Sequence, residues 1–252
     1  MHPICKVHRM GMLGYEQAWQ LQGDIAAEIG AGQRPASLLL LEHPHTYTFG
    51  RRGQIDHLLW DKAELVRKDV TVHWVDRGGD VTYHGPGQLV GYPLLPLNTS
   101  SLLVKGASAR LPKADYIGYL RRLEEALINA LAYLGVKSGQ VEGLTGVWVH
   151  NHYLSSKIER FPDSGLAKEA PAKIAAIGVK VDARGVTRHG FALNVNPEMF
   201  FWEGIISCGL VGYPVISLAE LLDPAPSMNS VMDAVVAAFG KVLGFKMVEE
   251  RL

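Results

Sequence analysis

A chain of 252 residues, 48% of them hydrophobic and 20% charged, can bury a sizeable core as one globular domain or at most two small ones. Lys plus Arg and Asp plus Glu each number 25, so a formal net charge of zero gives no support for a general nucleic-acid or membrane role. The longest aliphatic run, residues 38–41, is too short to span a bilayer, and the first 13 residues lack the apolar stretch of a signal peptide. We therefore expect a soluble cytoplasmic protein.

The N-terminal half of the chain predicts two helices and four extended segments. Apolar residues recur at helical spacing in the first helix, and Asp61 is placed to cap the second. Pro93 and Pro96 lie in the last extended segment, which we expect at an edge or an end of a sheet because proline donates no backbone hydrogen bond. The helices are predicted at residues 14–29 and 61–67, and the extended segments at residues 37–41, 46–49, 70–75 and 88–97.

The C-terminal half predicts two longer helices and three strands. The first helix, residues 115–134, carries one apolar stripe and ends at Gly135. The polar stretch at residues 151–172 interrupts the periodicity and predicts an exposed insertion or loop, and residues 100–112 predict a mobile connection. The stripe consists of Tyr116, Leu120, Leu123, Leu127, Leu131 and Leu134, the strands are predicted at residues 146–150, 173–181 and 187–195, and the last helix at residues 227–243.

These elements favour one fold class. Strands outnumber helices, and several strands are separated by short turns. This pattern indicates an α+β protein with a mixed, largely antiparallel sheet flanked by helices rather than a doubly wound parallel sheet. We expect a single catalytic domain over residues 1–252.

The most informative segment is residues 77–88, with the sequence RGGDVTYHGPGQ. Gly78 and Gly79 follow Arg77 and allow backbone N–H groups to approach a bound group, since no Cβ intervenes. A sharp bend is predicted where a proline stands between Gly85 and Gly87. The segment therefore predicts the wall of a site that holds a small group against bare backbone; the alternative is a hairpin loop with a satisfied histidine.

Two further residues have the chemistry of group transfer. Cys208 precedes Gly209, which leaves the sulfur approachable, and a reactive thiolate needs a cation or a base nearby. Lys173 is followed by small and apolar residues, so its ammonium group is expected in a partly dry site. Spacing alone does not bring these two residues together, and a buried structural cysteine and a solvent-exposed lysine remain the alternatives. Cys5 is expected to be a buried small hydrophobe.

The chain carries no clear signature of a metal or nucleotide cofactor. The His-x-His patterns at residues 43–45 and 150–152 lack the cysteine pairs or helical histidine spacing that usually accompany zinc. The phosphate-binding P-loop and the dinucleotide fingerprint are also absent from the sequence. We therefore expect no metal and no cofactor.

Residues 77–88 resemble the signature of the lipoyl(octanoyl) transferase family, also called lipoate-protein ligase B. Further blocks match in the same order, and the occurrence of all of them together is far more specific than any one. The resemblance extends from about residue 15 to residue 222, and the matching blocks are residues 145–149, 173–178, 189–195 and 207–209.

The resemblance implies a fold and an activity. The fold is that of the biotin and lipoate protein ligases, a mixed sheet flanked by helices. The family transfers an octanoyl group from octanoyl-acyl carrier protein to one lysine of lipoyl domains, which include 2-oxoacid dehydrogenase E2 subunits and the glycine-cleavage H protein. The thioester donor is already activated, so no ATP is needed. We expect a monomer that binds neither nucleic acid nor membrane.

The resemblance also implies roles for individual residues. Cys208 would take the acyl group as a thioester, and Lys173 would activate the thiol and shuttle the proton. Small variations at Ala175 and Phe191 leave the preferred chain length open. The acyl-binding residues would be Arg77, Gly78, Gly79, Asp80, Val81, Thr82, Tyr83, His84, Ala176, Ile177, Gly178, Gly190, Phe191 and Ala192.

Two other functions compete with this one. An ATP-dependent lipoate or biotin ligase of the same fold would need a nucleotide site and would not need the cysteine. A catalytically inactive receptor for the acyl group or its carrier would bind without turnover, and Cys208 would be unreactive. Activity that depends on ATP and free acid would favour the ligase over the transferase. An acyl adduct on Cys208 would favour the transferase over the inactive receptor.

Overall fold

The computed structural model describes residues 2–97, 115–150 and 170–252. The predicted connection at residues 100–112 and residues 151–169 of the predicted insertion lie outside this part of the chain. Ala172, which we expected in the exposed insertion, is instead buried and begins a strand. The prediction of residues 151–172 as an insertion is therefore wrong at its C-terminal end, because the apolar strand begins one residue before Lys173.

Two β-sheets organise the described residues. The strands are β1 (Ile4–Met12), β2 (Ala36–Glu42), β3 (Thr46–Phe49), β4 (Thr71–Trp74), β5 (Val81–His84), β6 (Gln88–Leu94), β7 (Val147–Val149), β8 (Ala172–Val181), β9 (Thr187–Asn194) and β10 (Lys246–Glu249). In the larger sheet the strand order is β10-β1-β2-β6-β9-β8-β7, and in the smaller sheet it is β4-β3-β5. The pairings of β1 with β2 and β10 and of β3 with β4 are parallel, and the others are antiparallel.

The helices begin and end close to the predicted positions. Asp61 caps the second helix by accepting a hydrogen bond from Glu64 N–H at 2.8 Å, and Gly135 follows the third at a φ of 81°. The helices are α1 (Tyr15–Gly30), α2 (Lys62–Arg67), α3 (Tyr116–Tyr133), α4 (Leu218–Leu221) and α5 (Met228–Leu243). A mixed, largely antiparallel sheet flanked by helices is therefore confirmed.

The larger sheet is covered on both faces, and β2 shows why. Leu38 and Leu40 face the cluster that contains α3 and α5, whereas Leu39 and Leu41 face α1. All four side chains are buried, so this strand is a continuous apolar run rather than an alternating one. The sheet is thus the middle layer, and the functional site described below lies on its α1 side.

Pro93 was expected to place β6 at an edge or an end of a sheet. The strand lies in the interior of the larger sheet, between β2 and β9, so the edge position is wrong, but Pro93 stands directly before its last residue, Leu94, as the alternative of an end allows. The ladder with β9 ends at Gly91, two residues before Pro93, and Pro93 is in register with Leu38 of β2. The proline is tolerated because Thr187 takes over the local bonding: its Oγ1 donates to Pro93 O and accepts from Leu95 N–H.

The apolar stripe of α3 begins about one turn later than predicted. Leu123, Leu127 and Leu131 are buried as expected, but Tyr116 is 48% exposed and Tyr119 is fully buried in its place. The first turn therefore presents the residue three positions later to the core, because Tyr116 lies at the very end of the helix.

Candidate active site

A cleft lies between the glycine-rich segment and the α1 face of the larger sheet. Its walls come from elements far apart in the sequence, which the sheet order brings together. The lining residues are Tyr15, Arg77, Gly79, Asp80, Thr82, His84, Val90, Tyr92, Ala176, Ile177, Gly178, His189, Gly190, Phe191, Ala192 and Cys208.

Small residues on β8 and β9 form the floor of the cleft. Ala176 is opposite Ala192 in the ladder, and Gly178 is opposite Gly190. Side chains two residues apart on a strand face the same side, so these four positions share one face of the sheet. Their lack of bulk leaves space above the sheet for a ligand.

The residues between them face the other way. Phe191 packs in the core against α5, where its ring lies 5.5 Å from that of Phe239, and Ile177 packs against the same core. Ala175 is also in that core. Ala175 is not among the lining residues, whereas Phe191 and Ile177 contribute to the lining of the cleft although their side chains pack in the core. Their influence on the acyl slot stays a prediction.

The glycine-rich segment contributes alternate residues to the opposite wall. Asp80, Thr82 and His84 line the cleft, whereas Val81 and Tyr83 are fully buried in the core of the smaller sheet. The same two-residue period of a strand explains this division. Of the eight acyl-binding residues expected at positions 77–84, five line the cleft: Arg77, Gly79, Asp80, Thr82 and His84.

Gly78 attaches the segment to the sheet instead of lining the cleft. Its N–H donates to Val179 O at 3.0 Å. A Cβ on Gly178 would lie 3.0 Å from Gly78 O and 3.1 Å from Arg77 Cδ. Glycine at both positions therefore permits the close approach of the two walls.

Arg77 is a buried cation beside the cleft. Its guanidinium donates to Thr48 O, to Thr48 Oγ1 at 2.9 Å and to Gly78 O at 3.0 Å. No carboxylate of the described residues lies within ion-pair distance of it. Burial lowers the pKa of Arg77, but a guanidinium stays protonated at neutral pH. The side chain therefore places positive charge at the cleft that Cys208 lines.

The histidines of this region are partnered and neutral. His84 Nδ1 lies 2.9 Å from Gln88 Oε1, and His43 Nε2 lies 2.7 Å from the hydroxyl of Tyr92. Burial lowers the pKa of His43 to about 4 and holds that of His84 well below its usual value. The satisfied histidine that we considered as an alternative is thus present at position 84, within a segment that also lines a cleft.

The two cysteines occupy different environments. Cys5 is buried in the core, where desolvation raises the pKa of its thiol to about 12. Cys208 is half-buried, lines the cleft and sits in the turn Ser207–Gly209 at a φ of 56°. A non-glycine residue at positive φ is uncommon, and such backbone is often found at functional sites.

Lys173 lies on β8 but not among the residues that line the cleft. Its side chain is buried, and its Nζ lies 4.6 Å from the centroid of the Trp148 ring. Its backbone N–H donates to Pro214 O at 2.8 Å, and its carbonyl accepts from Ile216 N–H at 3.0 Å. These bonds join it to the segment that follows Cys208. A contact between the two side chains stays a prediction.

Four lining residues were not predicted: Tyr15, Val90, Tyr92 and His189. His189 has a φ of 57°, and its Nε2 lies 2.7 Å from Asp76 Oδ1. Lys180 contacts the other oxygen, and these partners lower the pKa of Asp76. The position of His189 directly before Gly190 was a usable signal, whereas Tyr15 is indistinguishable in sequence from the other apolar residues of α1.

The described residues contain neither a cluster of metal ligands nor a helix that could span a membrane. Within residues 2–97, 115–150 and 170–252, no group of three or more His, Cys, Asp or Glu side chains is arranged to hold a metal ion. No helix in the same ranges is long and apolar enough to cross a bilayer.

Known proteins resemble this chain in sequence over most of its length. The family model of the lipoyl protein ligase A/B catalytic domain matches residues 14–240. An octanoyltransferase of Chloroflexus aurantiacus is 41% identical over 240 residues, which cover 95% of this chain and 94% of the relative. One of Acidobacterium capsulatum is 39% identical over 246 residues, covering 97% and 92%.

Solved structures share the fold at low identity. An archaeal bi-partite lipoate protein ligase from Thermoplasma acidophilum has a TM-score of 0.65 and 14% identity, covering 100% of this chain and 88% of its own. A lipoate-protein ligase A bound with ATP has a TM-score of 0.67 and 14% identity, with coverage of 100% and 90%. The chain belongs to the lipoyl protein ligase A/B catalytic domain family, and its curated relatives identify it as an acyltransferase.

Proposed function

We propose that this chain transfers an octanoyl group from octanoyl-acyl carrier protein to a specific lysine of lipoyl-domain proteins, by way of a thioester on Cys208. The acceptors would be 2-oxoacid dehydrogenase E2 subunits and the glycine-cleavage H protein. One observation supports this most strongly: Cys208 lines a cleft whose floor is made of glycine and alanine and whose wall carries the cation of Arg77. An acyl chain fits the small-residue floor, and the thiol lies at the same cleft.

The first half-reaction is an exchange of thioesters. The thiolate of Cys208 attacks the carbonyl carbon of the donor thioester, a new C–S bond forms, and the C–S bond to the carrier breaks. The proton that Cys208 gave up, held by Lys173 in this proposal, passes to the departing sulfur, so the carrier leaves as a thiol. Negative charge develops on the carbonyl oxygen in the transition state, where a fixed positive group such as Arg77 is most effective. The exchange is nearly balanced in free energy, and amide formation in the second half-reaction makes the overall transfer favourable.

One polar atom in the cleft is available to the acyl carbonyl. Thr82 Oγ1 is buried and has no hydrogen-bond partner among the described residues. Buried polar atoms without a partner are rare, and those in a cleft are often completed by a ligand. We therefore assign the Thr82 hydroxyl, which can donate, to the carbonyl end of the acyl group; His189 Nδ1 also lacks a partner among the described residues, but with Nε2 facing the Asp76 carboxylate it carries a lone pair and would accept from a donor of the substrate instead.

Lys173 is proposed as the residue that activates the thiol of Cys208. Its side chain is 4% exposed, so its charge would act in a medium of low dielectric. Its backbone bonds to residues 214 and 216 anchor β8 to the segment after Cys208. The side chain lies over Trp148, so the ammonium group would have to leave that ring to reach the sulfur.

The test is intact-protein mass spectrometry after mixing the protein with octanoyl-acyl carrier protein in the absence of ATP. An octanoyl adduct that maps to Cys208 and is released by hydroxylamine is expected in the wild type. Cys208→Ala should form no adduct, and Cys5→Ala, which removes the other thiol, should form it normally. Transfer that appears only when ATP and free octanoate are added would contradict the proposal and favour a ligase.

A further inference from the structure

A histidine–carboxylate pair lies against the turn that carries Cys208. The Nδ1 atom of His57 contacts Asp80 Oδ2. The other oxygen, Asp80 Oδ1, accepts from the backbone N–H of Gln54 at 3.2 Å and of Val81 at 2.7 Å. Both oxygens of the carboxylate are occupied, so the imidazole is held in one orientation.

Backbone contacts fix this pair beside Cys208. The N–H of Ile206, two residues before the cysteine, donates to His57 O at 2.9 Å. Gly209 directly follows the cysteine, and a Cβ there would lie 2.9 Å from Asp80 Oδ2 and 3.1 Å from His57 Cε1. Asp80 lines the same cleft as Cys208. The imidazole therefore lies beside Asp80, a residue that lines the cleft, and against the turn that carries the proposed nucleophile.

The second ring nitrogen of His57 is free to accept a proton. A carboxylate that faces Nδ1 favours the tautomer with its proton on Nδ1, which leaves a lone pair on Nε2. None of the residues that the structure describes forms a hydrogen bond with Nε2. The side chain of His57 is 19% exposed, so an acceptor amine can reach it from solvent.

Other candidate bases are less suitable for an incoming amine. His43 and His84 have both ring nitrogens within bonding distance of other groups. His189 is 1% exposed and faces the interior of the cleft. Lys173 is buried beside Trp148. His57 combines an oriented imidazole, a free nitrogen and partial exposure.

We propose that His57, oriented by Asp80, is the base that accepts the proton of the acceptor lysine when the acyl group leaves Cys208. The proposal rests on the proposed function and extends it to the second half-reaction. His57 is the residue that exchanges the proton, and Asp80 is a positioning residue that fixes its tautomer.

Two protons leave the acceptor nitrogen in this half-reaction, one to solvent and one by way of His57. The acceptor lysine arrives as an ammonium ion and loses one proton to solvent. Its nitrogen attacks the carbonyl carbon of the thioester, a C–N bond forms, and the C–S bond to Cys208 breaks. A second proton passes from the nitrogen to Nε2 of His57 and then to the Cys208 thiolate, so the products are an amide and a free thiol.

The test separates the two half-reactions. The octanoyl-enzyme is prepared from wild type, His57→Gln and Asp80→Asn, and is then mixed with an excess of a lipoyl domain in single-turnover experiments. We expect His57→Gln to lower the rate of transfer to the lipoyl domain about 100-fold or more, with acyl-enzyme formation changed far less. Asp80→Asn places an amide N–H against Nδ1, which moves the ring proton to Nε2 and should slow transfer about 10-fold or more.

Hydroxylamine distinguishes proton transfer from a structural role. It cleaves thioesters without a base from the protein, so it should release the octanoyl group as its hydroxamate from the wild-type and His57→Gln acyl-enzymes at similar rates. His73→Gln is the matched control and should transfer normally, since His73 has the same side-chain exposure of 19% and also faces a carboxylate, that of Glu16. Equal loss of both reactions in His57→Gln would overturn the proposal, as would transfer at the wild-type rate. Failure of the wild type to form any acyl-enzyme would instead refute the proposed function.

Discussion

Arg77 is a residue at which stability and activity are expected to separate. Its buried charge has no carboxylate partner among the described residues, so the protein bears the desolvation cost of a cation. We predict that Arg77→Met lowers the rate of acyl-enzyme formation about 100-fold or more, because the transition-state charge loses its stabilising group. The free energy of unfolding should change by less than about 2 kcal/mol, since relief of desolvation offsets the hydrogen bonds lost to Thr48 and Gly78.

Urea unfolding and single-turnover acylation measure the two quantities on the same preparation. Arg77→Lys is a useful comparison, because lysine keeps the charge but cannot reproduce the forked donors. It should fall between wild type and Arg77→Met in acylation rate. A variant that unfolds much more easily and acylates normally would show that Arg77 is a structural residue.

The sequence identified the segment around Arg77 as a site but could not say which of its residues face the ligand. Val81 and Tyr83 are core residues of the smaller sheet, whereas Thr82 and His84 line the cleft. The face of β5 that points to the core and the face that points to the cleft are set by the pairing of β5 with β3, whose paired residues are 32 or more positions apart. Such a long-range pairing leaves no local mark in the sequence, so a motif predicts the segment and only the fold selects its faces.

The floor formed by β8 and β9 is expected to set the preferred acyl chain length. Ala192 is paired with Val90 on one side and with Ala176 on the other, so a larger side chain would fill the space above the sheet. We predict that Ala192→Val lowers transfer of octanoyl relative to hexanoyl by about 10-fold, since each methylene in an apolar pocket is worth 1–3 kcal/mol. Competition between the two acyl-carrier proteins, followed by mass spectrometry of the product, measures this ratio.

A substitution on the opposite face of the same element is the control. Val179 packs against the core that contains α3 and α5 and is not among the residues that line the cleft, so Val179→Ala should lower stability slightly and leave the octanoyl-to-hexanoyl ratio unchanged. An unchanged ratio in Ala192→Val, or an equal shift in both variants, would show that the chain does not extend along this floor.

Helices were more predictable than strands for a physical reason. The caps and periodicity of α2 and α3 are local, and both helices lie within a few residues of the predicted bounds. β1 and β10 pair with each other through residues more than 200 positions apart, and neither was predicted. Pro93 indicated an edge or an end for β6, and the bonds of Thr187, a residue distant in sequence, make the interior position possible.

The fold as a whole gathers several histidines into dry surroundings, and this should make the protein sensitive to acid. The pKa of His43 is lowered to about 4 by burial, against 6.5 for an exposed histidine, and those of His84 and His189 are lowered for the same reason. These rings are neutral in the folded protein near neutral pH, whereas the unfolded chain takes up protons below about pH 6.5. The stability that depends on them is therefore complete above pH 6.5 and is lost as the pH falls towards 4.

The expected result is a fall in the free energy of unfolding between pH 6.5 and 4, with a slope of at most about 1.4 kcal/mol per pH unit for each histidine. Urea unfolding across this range measures it. His43→Gln removes one titrating ring, so it should be less stable than wild type at pH 7 but should lose stability less steeply as the pH falls. His2→Gln is the control, since His2 is exposed and should leave the slope unchanged. Equal slopes in wild type and His43→Gln would show that burial of this ring does not control the acid sensitivity of the folded chain.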